Sequence, residues 1–405
     1  MIQPTGKETE NMRFWFTEEQ EKFRQEVREF MQAELRAGTF VAKSGGLAEG
    51  SSQEFSKKMA QRGWIGMTWP KQYGGQGRTY VDKVILNEEI FKVQAPVAYH
   101  FLADRQIGPS IIHFGSEWQK EYFLPRFVTA EEKMKFCLLF SEPNAGSDLV
   151  NVATSATKDG DSYIIRGQKV WTSGGHQSEY GWLLARTCFD PKVPRHESCS
   201  QFILDLRLPG VTVRPIINMA GRHTFNEVFF DDVRVEKRFM VGPENDAFKQ
   251  IMAQMDYERS GVERILQNYP IYQKLMEYVK KMEKKKVGEA FYSWVRDSMA
   301  QLETEFQIGR LLVYYTAWTI DQGRKPSKEA ALAKAYCNQY EQRLNDLATR
   351  VLGPSSLLRE GTPWAAFDGE LAECYLWSPS YTLQGGSVEV LKNIVAQRGL
   401  NLPRK

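Results

Sequence analysis

Apolar residues recur along the chain with two different periods, and the switch between them divides it into three zones. Up to about residue 133 the spacing is helical. Thr17-Glu18-Glu19-Gln20 reads as a capping box, because the Thr hydroxyl can accept from an orphan N–H while Gln20 reaches back. Phe23, Val27, Phe30, Met31 and Leu35 follow at three- and four-residue spacing, one apolar stripe of an amphipathic helix. A Gly-rich run, Trp69 to Gly77, separates helical stretches. No strand precedes it, so it reads as a surface loop and not a dinucleotide fingerprint.

From about 134 to 241 the period changes. Phe136–Phe140 is a short apolar run, and Ser162–Ile165 and Lys169–Trp171 flank an expected turn at Arg166-Gly167. Phe202–Leu204, Val211–Val213 and Val228–Val235 continue the series, with Gly, Pro, Asp and Asn between them. Short strands with regular turn signals predict an antiparallel barrel or sandwich. Beyond 242 the helical spacing returns. Val295, Met299, Leu302, Phe306, Gly309, Val313, Thr316 and Ile320 form a near-heptad seam, ended by Gly323 and Pro326. A further helical stretch over 328–352 suits a helix bundle. The predicted class is α+β without βαβ alternation: helical residues 1–133, β residues 134–241 and a bundle over 242–405.

Composition narrows the function classes. The 405 residues are 42% hydrophobic and 25% charged, as in an ordinary globular protein with ample core. Fifty-three Lys and Arg against fifty Asp and Glu give +3, spread along the chain, which argues against a sequence-blind nucleic-acid binder. There is no apolar run of about 18 residues, and the start MIQPTGKETEN has neither signal nor transit character, so a soluble, cytoplasmic protein is expected. The five cysteines are widely spaced with no C-x-x-C pair, and the five histidines show no i,i+4 pairing. Neither a disulfide framework nor a metal site is predicted.

Four motifs carry a resemblance. Phe140-Ser141-Glu142-Pro143-Asn144-Ala145-Gly146-Ser147-Asp148 resembles the acyl-CoA dehydrogenase signature T/S-E-P-x-A-G-S-D. Gly167 to Gly174, GQKVWTSG, is similar to the family's G-x-K-x-W-x-T/S-x. Phe225 to Val235 resembles the strand that ends its β domain, and Gly385-Gly386-Ser387-Val388-Glu389-Val390 with Asn393–Ala396 resembles E/G-G-T-x-x-I…N-I-I-A. The motifs come in family order across almost the whole chain. The resemblance implies an N-terminal helical domain, a central β-barrel and a C-terminal four-helix bundle, with FAD between barrel and bundle and a neighbouring subunit completing its site, commonly in a tetramer. It implies α,β-dehydrogenation of an acyl-CoA thioester, as in β-oxidation, with electrons passing to an electron-transfer flavoprotein.

The base is the informative position. Many members begin the C-terminal motif with Glu; here Gly385 stands there. A minority carry the Glu in an E-R pair on a bundle helix, and Glu258-Arg259 falls on that position. A carboxylate in an apolar, flavin-covered pocket has its pKa raised by desolvation toward the range useful for proton abstraction. Against this stands a solvated helix residue beside Arg259, with Gln384 and Glu389 as other candidates. The backbone N–H of Gly385 keeps a role as donor to the thioester carbonyl. By resemblance, Ser141 meets the flavin pyrimidine edge, Trp171 flanks the isoalloxazine and Ser173 bonds near N5, with Leu138, Phe140 and Thr172 beside them. Ser147 contacts pyrophosphate or the CoA chain, Asp256 and Arg259 the pantetheine, and Ser387 and Glu389 the ribityl-pyrophosphate.

Two motifs depart from the family. R-x-x-F-G reads Lys284-Lys285-Lys286-Val287-Gly288, and a Lys lacks the planar fork of a guanidinium. Q-x-x-G-G reads Arg350-Val351-Leu352-Gly353-Pro354, in which Arg350 and Gly353 remain able to meet pyrophosphate while Pro354 removes a donor. These departures leave two alternatives to a self-sufficient dehydrogenase. One is a subunit that works only beside a different partner chain; the other is a flavin monooxygenase of the same fold.

Overall fold

The computed structural model describes residue 12 and residues 15–42, 50–258 and 261–403, apart from the side chains of residues 253 and 255–258. The first helix, α1 (Glu18–Arg36), starts at the expected box: Thr17 accepts from the Gln20 N–H and Gln20 accepts from that of Thr17. Phe23, Val27, Phe30 and Met31 are buried along its stripe. Helices α2 (Gln53–Gln61), α3 (Tyr80–Lys92), α4 (Gly108–Phe114) and α5 (Glu117–Val128) follow. Residues 69–77 form a single 3₁₀ turn and a largely exposed loop, in which Gly74 takes a left-handed φ of 84°.

The β zone holds β1 (Phe136–Leu139), β2 (Ser155–Asp159), β3 (Ser162–Lys169), β4 (Tyr180–Arg186), β5 (Cys199–Asp205), β6 (Val211–Ile217), β7 (His223–Glu236) and β8 (Met240–Val241). They form one eight-stranded sheet in the order β6-β7-β3-β2-β4-β5-β8, with β1 on β4. The expected antiparallel arrangement holds for most pairings and needs correcting at two. β1 runs parallel to β4, and β2 meets β4 through one parallel bridge, Ser155 to Arg186. The reason is connectivity: β1 reaches β4 only through the β2–β3 crossover, and a crossover delivers parallel strands where a hairpin would not. Among the described residues no pairing joins β6 to β8, so the circuit stays open. The sheet nevertheless wraps one core, with Leu139, Ile165, Leu183, Phe202 and Val228 converging.

One local reading changes, and one strand had no reading. Arg166-Gly167 is not a turn, because β3 runs through it with a shift of register opposite β7. Gly167 has φ 138° at this bulge, and a Cβ there would meet the Thr154 Cα at 2.7 Å. Strand β4 gave no alternating signal because both of its faces are buried: Leu183 and Ala185 face the sheet core, whereas Tyr180 and Trp182 pack with Phe123 and Phe127 of α5.

The last zone comprises α6 (Ala247–Glu258), α7 (Glu263–Leu266), α8 (Tyr269–Lys280), α9 (Lys284–Val287), α10 (Glu289–Asp321), α11 (Ser327–Leu352), α12 (Glu370–Trp377) and α13 (Val388–Ile394). The predicted seam is the buried face of α10 from Val295 through Thr316. The bundle is not self-contained. Phe23, Ile85 and Phe91 of α1 and α3 share one core with Leu275, Leu302, Tyr340 and Leu344 of α8, α10 and α11. The first zone is therefore split by its packing, α1–α3 lying on the bundle and α4–α5 on the sheet.

Candidate functional site

Just beyond β1 the chain turns Glu142 inward. Its carboxylate accepts from the Ala153 N–H at 2.6 Å, the Thr154 N–H at 3.0 Å and Lys169 Nζ at 2.7 Å. Lys169, the last residue of β3, is 0% exposed and donates also to the Phe140 carbonyl at 3.0 Å. Burial pulls the Lys169 ammonium down to about 8, with the Glu142 charge opposing it. Burial also acts to raise Glu142, but Lys169 and the backbone donors overcome it and hold the carboxyl below its usual range. The pair joins the loop after β1 to the end of β3, and the Val170 N–H to Ser141 carbonyl bond (2.9 Å) completes the clamp.

What the clamp presents is Trp171. This residue takes φ 60° and is 59% exposed, a combination that costs strain and persists only where neighbours fix the backbone. The neighbours do so: Thr172 and Asn226 exchange N–H···O bonds at 3.0 Å each, and Asn226 Nδ2 donates again to the Thr172 carbonyl at 2.9 Å. Exposed Ser173 follows buried Thr172, whose Oγ1 has no partner among the described residues. Phe225 meets Trp171 edge-on at 5.8 Å and stacks on Trp377 at 5.5 Å. The stack, with an ion pair between Arg222 and Glu373, joins the sheet to α12.

The C-terminal motif forms a half-buried loop. Gly385 and Gly386 have φ of 63° and 98°, and the carbonyls of Gln384, Gly385 and Gly386 accept from Lys334 Nζ of α11 at 2.5, 2.9 and 3.2 Å. Ser387 caps α13 by accepting from the Val390 N–H at 3.4 Å. Glu389 is exposed, its carboxyl held low by its own backbone N–H and the Ser387 hydroxyl, an environment opposite to that of a desolvated base.

The remaining expected residues are dispersed. Leu138 and Phe140 are half-buried against the α4–α5 core, and Ser147 is exposed. Arg350 is exposed and pairs with Asp346 at 2.9 Å, while Gly353 ends α11 with φ 62°. At 1.5 Å per residue Arg350 lies ~24 Å along α11 from Lys334, so these two expected contacts are not gathered with the Gly385 loop. Glu258 is the last residue of α6; its side chain and that of Asp256 lie outside the described residues, as does Arg259 altogether.

Family models match the chain in three consecutive parts: the acyl-CoA dehydrogenase N-terminal domain over residues 17–131, the middle domain over 137–233 and the C-terminal domain over 245–400. The acyl-CoA dehydrogenase IpdE1 of Mycobacterium tuberculosis is 33% identical over 394 residues, covering 95% of this chain and 98% of the relative. The chain belongs to the acyl-CoA dehydrogenase family. The solved structure titled Tcur3481-Tcur3483 steroid ACAD superposes with TM-score 0.85 at 27% identity, covering 97% of this chain and 100% of that one. The ChsE4-ChsE5 complex from Mycobacterium tuberculosis gives 0.83 at 30%, with the same coverage.

As an acyl-CoA dehydrogenase the chain is an FAD-dependent oxidoreductase. The residues present fit that cofactor: an exposed indole beside a buried Thr172 hydroxyl that has no partner among the described residues suits a flat ring with a polar edge. Sequence reasoning missed the residues that hold the dehydrogenase site together. Glu142 and Lys169 lay inside the recognised motifs but were given no role, and Asn226 sat unremarked in a third. Lys334 gave no signal, since a Lys on an amphipathic helix ordinarily reads as solvated. Among the described residues no helix is long and apolar enough to cross a membrane.

Proposed function

We propose that this acyl-CoA dehydrogenase desaturates an acyl-CoA thioester with Glu258 taking the α-proton and the Gly385 N–H donating to the thioester carbonyl. FAD, when bound, supplies the acceptor for the β-hydride. The observation that carries the assignment is Gly385: it has no side chain to serve as base, so the proton must go to another element. Helix α6 is suited to that task. Gln250 Nε2 bonds the Val241 carbonyl at 2.9 Å and Gln254 Nε2 bonds Ser110 Oγ at 2.7 Å, which sets the register of the helix that ends in Glu258. Its Ala247 and Ile251 pack on Ala145 and Val152, in the segment that Glu142 anchors. Trp171, with Ser141, Thr172 and Ser173, forms the flavin wall of this reading; Ser387 and Glu389 serve the ribityl-pyrophosphate of that flavin, Arg350 and Gly353 the pyrophosphate in a neighbouring subunit's site, and Ser147, Asp256 and Arg259 the CoA chain.

Glu258→Gln tests the base. Flavin absorbance is retained and turnover falls by at least ~10³-fold, within the range general bases contribute; full turnover overturns the assignment. The same proposal takes residues 1–133, 134–241 and 242–405 as domains and an electron-transfer flavoprotein as acceptor. It also takes a ring-bearing acyl group as substrate, supported by the steroid ACAD among its relatives. Anaerobic titration with straight, branched and cyclic acyl-CoAs tests the substrate, since the class that bleaches the flavin band names it.

A second reading is favoured by one observation. Where R-x-x-F-G is expected, Lys284 pairs with Glu289 and Lys286 with Glu283, so these lysines are engaged locally and no guanidinium fork is offered. Two solved relatives carry titles naming two chains. On this reading a different partner chain completes the FAD site. Purified alone, the chain then lacks flavin and gains activity only with that partner; a flavin-replete, active homo-oligomer removes this reading.

A further inference from the structure

Lys334 is 0% exposed and lies outside the four motifs read in the sequence. It points its ammonium at three successive carbonyls, those of Gln384, Gly385 and Gly386. In a planar trans peptide the C=O and N–H point in opposite directions, and no peptide in the described chain is cis. Each carbonyl turned toward Lys334 therefore turns the N–H of the next residue away from it. Successive peptides of an extended chain would alternate; here positive φ at both Gly385 and Gly386 brings them to one side. As the carbonyls converge on the ammonium, the N–H groups fan outward on the opposite face, so one of them, that of Gly385, can be set on a given oxygen there. The Gly385 and Gly386 N–H groups have no hydrogen-bond acceptor among the described residues.

We propose that Lys334 is a positioning residue: by gathering three carbonyls, the Gln384 carbonyl among them, on its ammonium it fixes the Gln384–Gly385 peptide with the Gly385 N–H facing the thioester carbonyl oxygen. The inference rests on the acyl-CoA reading above and adds a residue to it. Three carbonyl dipoles pointing at one another repel, so the arrangement needs a buried cation at their focus. A neutral residue there lets the peptides turn and takes the Gly385 N–H out of line. Lys334 touches no substrate atom; it acts through the loop, and oxyanion donors work only when held in place before the charge develops.

The test is a binding ratio. Calorimetry on the full-length, flavin-loaded protein compares acetyl-CoA with S-ethyl-CoA, which differ only in the carbonyl oxygen. The wild type prefers acetyl-CoA by on the order of fivefold, as one modest hydrogen bond gives. Lys334→Met brings the ratio close to one by weakening acetyl-CoA alone, and Lys334→Gln, which keeps a donor and carries the test if the first variant does not fold, gives an intermediate ratio. Equal weakening of both ligands, or an unchanged ratio in either variant, overturns the proposal. So does a wild type that binds both equally. A wild type that binds neither removes the acyl-CoA reading and this inference with it. Because the ratio makes no use of proton abstraction, it stands apart from the assignment of Glu258.

Discussion

Lys169 and Lys334 are both fully buried ammonium groups, one on the sheet side of the site and one on the helical side, and they are satisfied in different ways. Lys169 faces a carboxylate, Glu142, and one carbonyl; Lys334 holds a fan of three carbonyls. A charge paired with a charge cannot lose one member without stranding the other, whereas carbonyls that lose a cation are left as dipoles that can turn or meet water. The first arrangement secures the fold under Trp171, the flavin wall of the proposed site. The second sets the direction of peptide groups in a half-buried loop. Buried lysines at one site thus act as a structural clamp and as an aiming device, and the partner chemistry separates the two.

The sharpest way to break this contrast is Glu142→Gln, which leaves the Lys169 ammonium buried without its counter-charge. The expected cost is about 3–5 kcal/mol, with loss of bound flavin. Urea unfolding with flavin absorbance checks it, and a change below about 1 kcal/mol would mean that the clamp is not what holds the wall. Adding Lys169→Met removes both charges and recovers more than half of that loss. The pair also has a pH signature. Lys169 titrates at about 8 when folded against 10.5 in the free side chain, so between these values the unfolded chain holds more protons and stability rises with pH. The favourable contribution is complete above 10.5 and is lost as pH falls through about 8. The wild type therefore gains on the double variant by roughly 1–3 kcal/mol between pH 8 and 10.5. A parallel pair of curves would place the titration elsewhere.

The contrast also explains what could be read from the residues alone. The α-β-α order, the stripe of α1 and the seam of α10 were legible because each element buries one face and its period shows. Strand β4 was not, since burial on both faces removes alternation, and the parallel β1–β4 pairing was not, since pairing direction is decided by connections between distant segments. At the site, Trp171 and Gly385 could be found by motif. The left-handed backbone at Trp171 could not, because it is imposed by Asn226, far along the chain. Lys334 stayed hidden because its helix pattern is that of a solvated lysine, and only the folded loop supplies the carbonyls that let it be buried.

Lys334→Met is the next step down in effect. It holds half-buried peptide groups, so unfolding free energy falls by only about 1–2 kcal/mol while the denaturant slope stays unchanged. A loss as large as that of Glu142→Gln would erase the distinction between clamp and aiming device, and would point to a core role for Lys334.

The smallest effect belongs to the contact between the two sides. Trp377 stacks on Phe225, which meets Trp171 edge-on, yet its buried Nε1 has no acceptor among the described residues. Trp377→Phe keeps a stacking ring and removes a donor that bonds to nothing among the described residues, so without flavin its cost should stay under about 1 kcal/mol. Thermal unfolding with and without FAD turns this into a finer probe. An equal, small shift in both states makes Trp377 a packing residue that joins sheet to helices. A loss confined to the flavin-loaded state means that Nε1 finds its acceptor on the bound molecule, which would extend the ligand wall from the Lys169 side of the site to α12, close in sequence to the loop that Lys334 aims.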